Sequence, residues 1–241
     1  MSATNRPEGS GVTAINVWSL SRKAGRELVL ERAWQQFWLD KLFFGLRCDL
    51  TKLPPIPKAK MPVKMEPVDW KCYGAFATEF ALVTGHDAVE VYARERLREA
   101  GVSGAHQTVS ENGEAAFVHW LVMASAQDGL HRFQPGRYRH LGPDEALIEG
   151  AYTFTAYRGK GLMIEGMGQL LVKARDAGAK TAWTYVALEN LPSLRGCARV
   201  GFEPDHLRRN RRRLGAMQTE FLPLTLEAMA MWDQSVPAAA A

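Results

Sequence analysis

Tyr157-Arg158-Gly159-Lys160-Gly161-Leu162-Met163 stands where a predicted strand ends and a predicted helix begins. Closely spaced glycines let consecutive backbone amides turn toward one point, and the first turn of a helix adds amides without an intrahelical partner and the positive end of its dipole. The product is an anion cradle whose natural occupant is a pyrophosphate. The spacing is neither GxxxxGK[ST] nor GxGxxG, so nucleotide hydrolysis loses its main support. Glycine-rich turns of this kind also arise for geometry alone, so the surrounding chain has to decide.

Working downstream, Gly161 to Ala177 reads as a helix and Thr181 to Leu188 as a strand running into Glu189-Asn190-Leu191-Pro192-Ser193. A helix over Leu191 to Val200, the pair Gly201-Phe202 and two strands flanking Leu214-Gly215 follow. Upstream, Glu145 to Tyr157 alternates loosely as a strand, and 126 to 144 reads as one long loop with Gly129, Pro135, Gly136, Gly142 and Pro143. Before it, Glu111-Asn112-Gly113-Glu114 turns a hairpin between Ala105–Ser110 and Ala115–Ser125. Asp69 caps a helix to Leu82, His86 or Asp87 starts another through Glu99, and Val63 to Glu66 is the first strand.

Arg158 to Gly161, an amphipathic helix, a strand, Asn190, Ser193 and Gly201-Phe202 resemble, in order and spacing, the GCN5-related N-acetyltransferase (GNAT) family. The resemblance spans roughly residues 63 to 222. It implies an α+β fold, a mixed and mostly antiparallel central sheet flanked by helices, with the fourth and fifth strands splayed to admit acetyl-CoA as co-substrate and no metal. It implies an acyl-CoA-dependent N-acyltransferase acting on a small-molecule or peptide amine. The alternative is a non-catalytic acyl-CoA-binding or scaffold protein on the same fold.

By the same resemblance, the backbone at Arg158, Gly159, Lys160, Gly161, Leu162 and Met163 holds the pyrophosphate, and Asn190 contacts the pantetheine or phosphate region. Met163 stands where the family usually has Gly or Ala. Direct attack of an amine on the thioester calls for a neutral nucleophile, and a carboxylate in a partly desolvated cleft can take its proton. Glu149, nine residues before Arg158, is the first candidate base, with Glu145 on the same side of the strand unless a bulge intervenes. The position that often carries a Tyr acid holds Cys197, and Tyr152 and Tyr185 are the replacements considered.

The chain divides on this reading into a mobile arm (1–22), an amphipathic helix and Pro/Lys-rich linker (23–62), the acyltransferase domain (63–225) and a C-terminal tail (226–241). The helix is read from Arg26 to Phe44, because Leu30, Trp34, Phe37, Trp38, Leu42 and Phe44 recur at helical steps and Gly45 makes a stop. It packs on the domain's own core, or forms a homodimer interface or a membrane-surface face.

With 241 residues, 46% hydrophobic and 23% charged, the chain is globular in composition, which excludes a disordered tail protein. Cys48, Cys72 and Cys197 form neither a disulfide framework nor a CxxC zinc pair, pointing to a reducing compartment. The absence of a basic start with an apolar run, and of an apolar stretch long enough to span a bilayer, leads to the expectation of a cytoplasmic protein. The net charge of +4 falls to −1 without Arg208, Arg209, Arg211, Arg212 and Arg213, so the basicity is local and nucleic acid is not the expected partner. On a strand those arginines alternate, one set toward solvent and the other toward cofactor phosphates or an acidic acceptor. Arg132, Arg137 and Arg139, beside His131 and His140, also suit an acidic or phosphorylated acceptor, and the six histidines show no metal-ligand spacing.

Overall fold

Leu42, Phe44, Leu46 and Cys48 alternate with Phe43, Gly45 and Arg47, and this two-residue period makes Trp38–Asp49 a strand, β1, in the computed structural model. The structure describes residues 38–70, 74–214 and 216–236 and scattered positions between 19 and 34. Glu27, Leu30, Glu31 and Trp34 are helical, but the helix expected to run to Phe44 gives way to β1, and Gly45 is a mid-strand residue rather than a helix stop. Phe44, Leu46 and Cys48 are almost fully buried, and burying side chains such as Phe44 and Leu46 contributes about 1.5–3 kcal/mol each. The glycine serves close approach: a Cβ at Gly45 would stand 2.3 Å from the His206 ring. Of the arm expected over 1–22, only Ser19 and Arg22 lie among the described residues, both helical, and Phe37 and Cys72 lie outside them.

The remaining elements are β2 (Val63–Pro67), α1 (Ala75–Leu82), α2 (Gly85–Glu99), β3 (Ala105–Ser110), β4 (Ala115–Met123), α3 (Gln127–Phe133) and β5 (Glu145–Thr153). After these come α4 (Leu162–Asp176), β6 (Thr181–Ala187), α5 (Leu191–Arg199), β7 (Glu203–Arg213), β8 (Ala216–Leu222) and α6 (Leu226–Ser235). One eight-stranded sheet runs β2-β3-β4-β5-β6-β1-β7-β8, antiparallel throughout except for the parallel pair β5–β6. The expected mixed, mostly antiparallel sheet flanked by helices is therefore present.

Alternate residues of each strand feed two apolar layers. Ala146, Ile148, Ala182 and Val186 pack with Leu170 and Leu171 of α4, Leu194 of α5 and Trp232 of α6. Val118, Trp120, Leu147 and Trp183 pack with Phe76 and Phe80 of α1, Val91 of α2 and Leu130 of α3. No helix among the described residues is long and apolar enough to cross a membrane.

Three segment readings need correction. The 126–144 loop begins with α3, whose Leu130 is buried under the sheet. The segment read as a C-terminal tail contains α6, capped by the Thr225 hydroxyl on the Ala228 amide and anchored by Trp232 edge-on to Phe44. The Pro/Lys-rich linker is a strap laid on α4: the Ala59 amide donates to Glu165, the Lys60 amide donates to the Lys160 carbonyl, and Ile56 sits where Gly168 leaves no Cβ. Proline blocked helix there, as expected, but the apolar residues between the prolines had a surface to cover.

Candidate active site

Strands β5 and β6 pair only through Glu145–Leu147 and Thr181–Trp183, and beyond Leu147 they separate. Gly150 lies in β5 with φ +66°, at a bulge between the Trp120 and Val118 pairings of β4. A Cβ there would stand 2.7 Å from the Trp120 ring and 2.9 Å from Leu97, so only glycine fits. Arg94 of α2 holds the bulge by donating to the carbonyls of Gly150 and Ala151. The bulge turns the strand's backbone from its neighbour, and the separation opens a cavity of about 910 Å³. Met163, Met167, Asn190, Ser193 and Cys197 line it, together with Glu149, Arg137, Tyr138, Tyr185 and Arg208.

The cradle adjoins this cavity at Met163. Gly159 and Gly161 both take positive φ, +74° and +82°, and Gly161 is the N-cap of α4. Among the described residues, the backbone amides of 159–163 donate to no protein acceptor, so several amides are available where the helix dipole favours an anion. Side chains at the turn are committed elsewhere. Arg158 forms a two-pronged ion pair with Asp87 at 2.8 and 2.9 Å, and the Lys160 ammonium lies over the Tyr157 ring. Leu162 is buried in the core. Met163 leans on Gly196, where a Cβ would come within 3.2 Å of its sulfur, so the small residue expected at 163 is replaced by a small residue on α5. Asn190 caps α5 through its side-chain oxygen on the Ser193 amide. The strap was missed as part of this region: Lys58 pairs with Glu165 at 3.1 Å, and Ala59 Cα lies 3.5 Å from where a Gly161 Cβ would be. The alternation of Lys with Pro over 52–67 was the available signal.

Glu149 is half-buried on the cavity wall. Its charge, after burial itself, holds the Tyr138 phenol above the ordinary value. Glu145 does a different job, accepting from the Trp183 indole at 3.0 Å and the Gly142 amide at 2.8 Å with Arg139 at 3.4 Å, and it does not line the cavity. The Cys197 thiol is fully buried and pushed up to about 12 by that burial. Tyr152 donates to the buried Glu79 at 3.0 Å, which places its hydroxyl in the α1 layer instead of the cavity. Tyr185 lines the cavity, its hydroxyl has no partner among the described residues, and burial pushes it up to about 12.

The β7 arginines separate by parity. Arg209, Arg211 and Arg213 converge on Asp40 of β1, whose carboxyl is held low chiefly by its hydrogen bond with Arg209. Arg208 and Arg212 face the cavity. From the loop region Arg137 reaches it too, whereas His131 and His140 stack on each other at 4.2 Å and do not line it. No group of three or more potential metal ligands occurs among the described residues.

Residues 88–202 match the family model for the acetyltransferase (GNAT) family. Over that segment, a little under half of its length, the chain is similar to the GNAT family. The matched segment starts in α2 and ends at Phe202, so it contains the glycine turn, the split strands and α5, but not β1, the strap or β7. Among solved structures, a GNAT-family acetyltransferase from Colwellia psychrerythraea is 14% identical over 76% of this chain and 57% of its own, with a TM-score of 0.49. The GCN5-related glucosamine N-acetyltransferase region of a fungal multi-domain β-N-acetylglucosaminidase is also 14% identical, over 86% and 24%, with a TM-score of 0.48. A GCN5-related N-acetyltransferase from Sphaerobacter thermophilus is 13% identical over 78% and 57%, with a TM-score of 0.43. The chain thus spans little more than half the length of the first of these. No curated protein matches it.

Proposed function

We propose that this chain is an acyl-CoA-dependent N-acyltransferase that passes acetyl from acetyl-CoA to a primary amine. The observation that carries the reading is the junction at Met163: a turn of unpartnered amides at a helix N-terminus adjoins a split between two strands, and Glu149 faces the same split. The amides of 159–163 suit the pyrophosphate, with Asn190 beside the adjoining arm. The β5 backbone beyond Leu147, unpaired toward β6, offers hydrogen bonds to an amide-bearing chain.

Acetyl-CoA supplies an activated thioester. Glu149 takes one proton of the acceptor ammonium directly or through water, leaving the nitrogen lone pair free to form the N–C bond; as the C–S bond breaks its electron pair leaves on sulfur, and the nitrogen gives its second proton to the departing thiolate or to water, which yields the neutral amide. An ordinary thiol has a pKa of about 8.5, so the thiolate can depart without full proton transfer. A thiol at about 12 is a poor acid toward it, so Cys197 acts here as an S–H donor in the wall, and the Tyr185 hydroxyl is a second donor.

The test is amine-dependent release of CoA from acetyl-CoA, followed with a thiol reagent, for the unaltered protein and Glu149→Gln. The expected result is turnover that falls about 10²–10⁴-fold in the variant while acetyl-CoA affinity is retained. Acetyl-CoA binding with no turnover on a broad amine panel would favour the non-catalytic reading, and equal turnover in the variant would remove Glu149 from the chemistry.

A further inference from the structure

Among the residues that line the cavity Arg208 stands apart by burial: it is 1% exposed and is one of the largest fully buried side chains. Register fixes it on β7, the strand next to the sheet's edge, opposite Phe43 on β1 and Phe221 on β8. Its guanidinium lies 3.9 Å from the Tyr185 ring centroid, 4.7 Å from Phe43 and 5.4 Å from Tyr138. Among the described residues its one hydrogen bond is a long contact, Nη1 to the Arg137 carbonyl at 3.5 Å, and Nε has no partner. No carboxylate among them lies within 4.0 Å of it, although three neighbouring arginines of the same strand share Asp40.

A buried guanidinium without an anion is costly, and an aromatic cage offsets only part of its lost hydration. Burial and the charge of Arg137 draw it down to about 10 against the opposing influence of Tyr138, of Glu149, whose carboxylate lies beyond ion-pair distance, and of Tyr185, and it stays protonated at neutral pH. It presents a planar fork of five donors, of which one is spent, and a carboxylate is the group that fork fits in two parallel bonds. Arg137 and Arg212 line the same cavity, adding positive charge, and Glu149 lines it as a carboxylate.

We infer that Arg208 is the anchor for a carboxylate on the acyl acceptor, so that the acceptor is an amino acid or a related amine bearing a carboxylate. Glu149 receives the amine end and Arg208 the acid end. This rests on the acyltransferase reading for the amine, but the anion site stands on its own geometry. Arg208 acts here as a specificity residue.

The experiment is a thermal-unfolding titration of the full chain with 3-phenylpropionate, benzoate and glutarate, each against its neutral amide at matched ionic strength. Phenylphosphonate, CoA and acetyl-CoA serve as separate arms. A carboxylate at roughly five times its Kd should raise the midpoint by about 2–4 °C, with no comparable rise for the amide. Arg208→Met and Arg208→Lys should lose that difference while keeping the rise given by CoA. Equal responses to carboxylates and amides in the unaltered protein would overturn the inference without any variant having to fold. So would a response to phenylphosphonate alone, or a carboxylate response that survives Arg208→Met. A carboxylate response without any CoA response would instead uphold the anion site and sink the acyltransferase reading. In turnover, the same inference expects L-phenylalanine to be preferred over L-phenylalaninamide by 10-fold or more, on the order of one charge-assisted hydrogen bond.

Discussion

Cys48 and Cys197 are both buried and both pushed up to about 12, chiefly by desolvation of their thiolates. The thiolate is the reactive form, so native protein at pH 8 should leave both unlabelled by iodoacetamide, while denaturant exposes both; mass spectrometry of the peptides reads this, and native labelling of Cys197 would contradict its place in the wall. His119 is fully buried, both its ring nitrogens lack partners among the described residues, and burial, followed by the charge of His106, holds it well below its ordinary value. The unfolded chain therefore binds a proton near pH 6.5 that the folded chain refuses, so stability is present above that pH and falls as pH drops below it. His119→Leu should lose less stability than the unaltered protein between pH 7 and 5, measured by urea unfolding; parallel losses would contradict the assignment. At this scale the sequence placed the glycines of the turn, put Glu149 on the strand before it and gave the arginines of β7 their alternation, while the roles given to them stand as proposals. It did not disclose that Tyr152 belongs to Glu79 or that Arg208 has no ion-pair partner among the described residues, because those facts depend on partners far along the chain.

At the scale of elements, β5 is the strand on which the site turns. Its bulge at Gly150 combines a left-handed φ with contacts to Trp120 and Leu97. Gly150→Ala should destabilise the protein by at least about 2 kcal/mol, from backbone strain and overpacking together, and should weaken acetyl-CoA binding more than a surface change of equal cost. Denaturant unfolding beside a cofactor titration checks this, and a stable variant with unchanged affinity would show that the bulge does not shape the split. The strand was legible from its alternation, but the bulge was not, since Glu149-Gly150-Ala151 carries no local signal of which residue leaves the ladder. In β1, two periods competed. Leu30, Trp34, Trp38 and Leu42 satisfied a helix, while Leu42, Phe44, Leu46 and Cys48 satisfied a strand, and the change of period falls between Trp34 and Trp38. The strap misled for another reason: proline density signals extended chain but not whether that chain lies on something.

For the whole molecule, the fold class could be read from the order of elements between Val63 and Leu222, because each had a local signature. What could not be read is where β1 goes. It lies between β6 and β7, pairing residues about 130 to 175 positions apart, and its Leu39, Lys41 and Phe43 line the cavity. The folded unit therefore begins upstream of the boundary placed at residue 63, and part of the site comes from outside the segment that matches the GNAT family. That arrangement also holds Arg208 in place, since Phe43 is one wall of its cage. The account as a whole rests on the cradle at Gly159–Met163 being the anchor of an acyl-CoA. Calorimetric titration of the protein with acetyl-CoA and CoA, beside Gly161→Trp, tests this most directly, with circular dichroism confirming the fold of the variant. The account predicts saturable one-to-one binding of both ligands by the unaltered protein and its loss in the variant, whereas no binding by the unaltered protein, or undiminished binding by a folded Gly161→Trp, would contradict it.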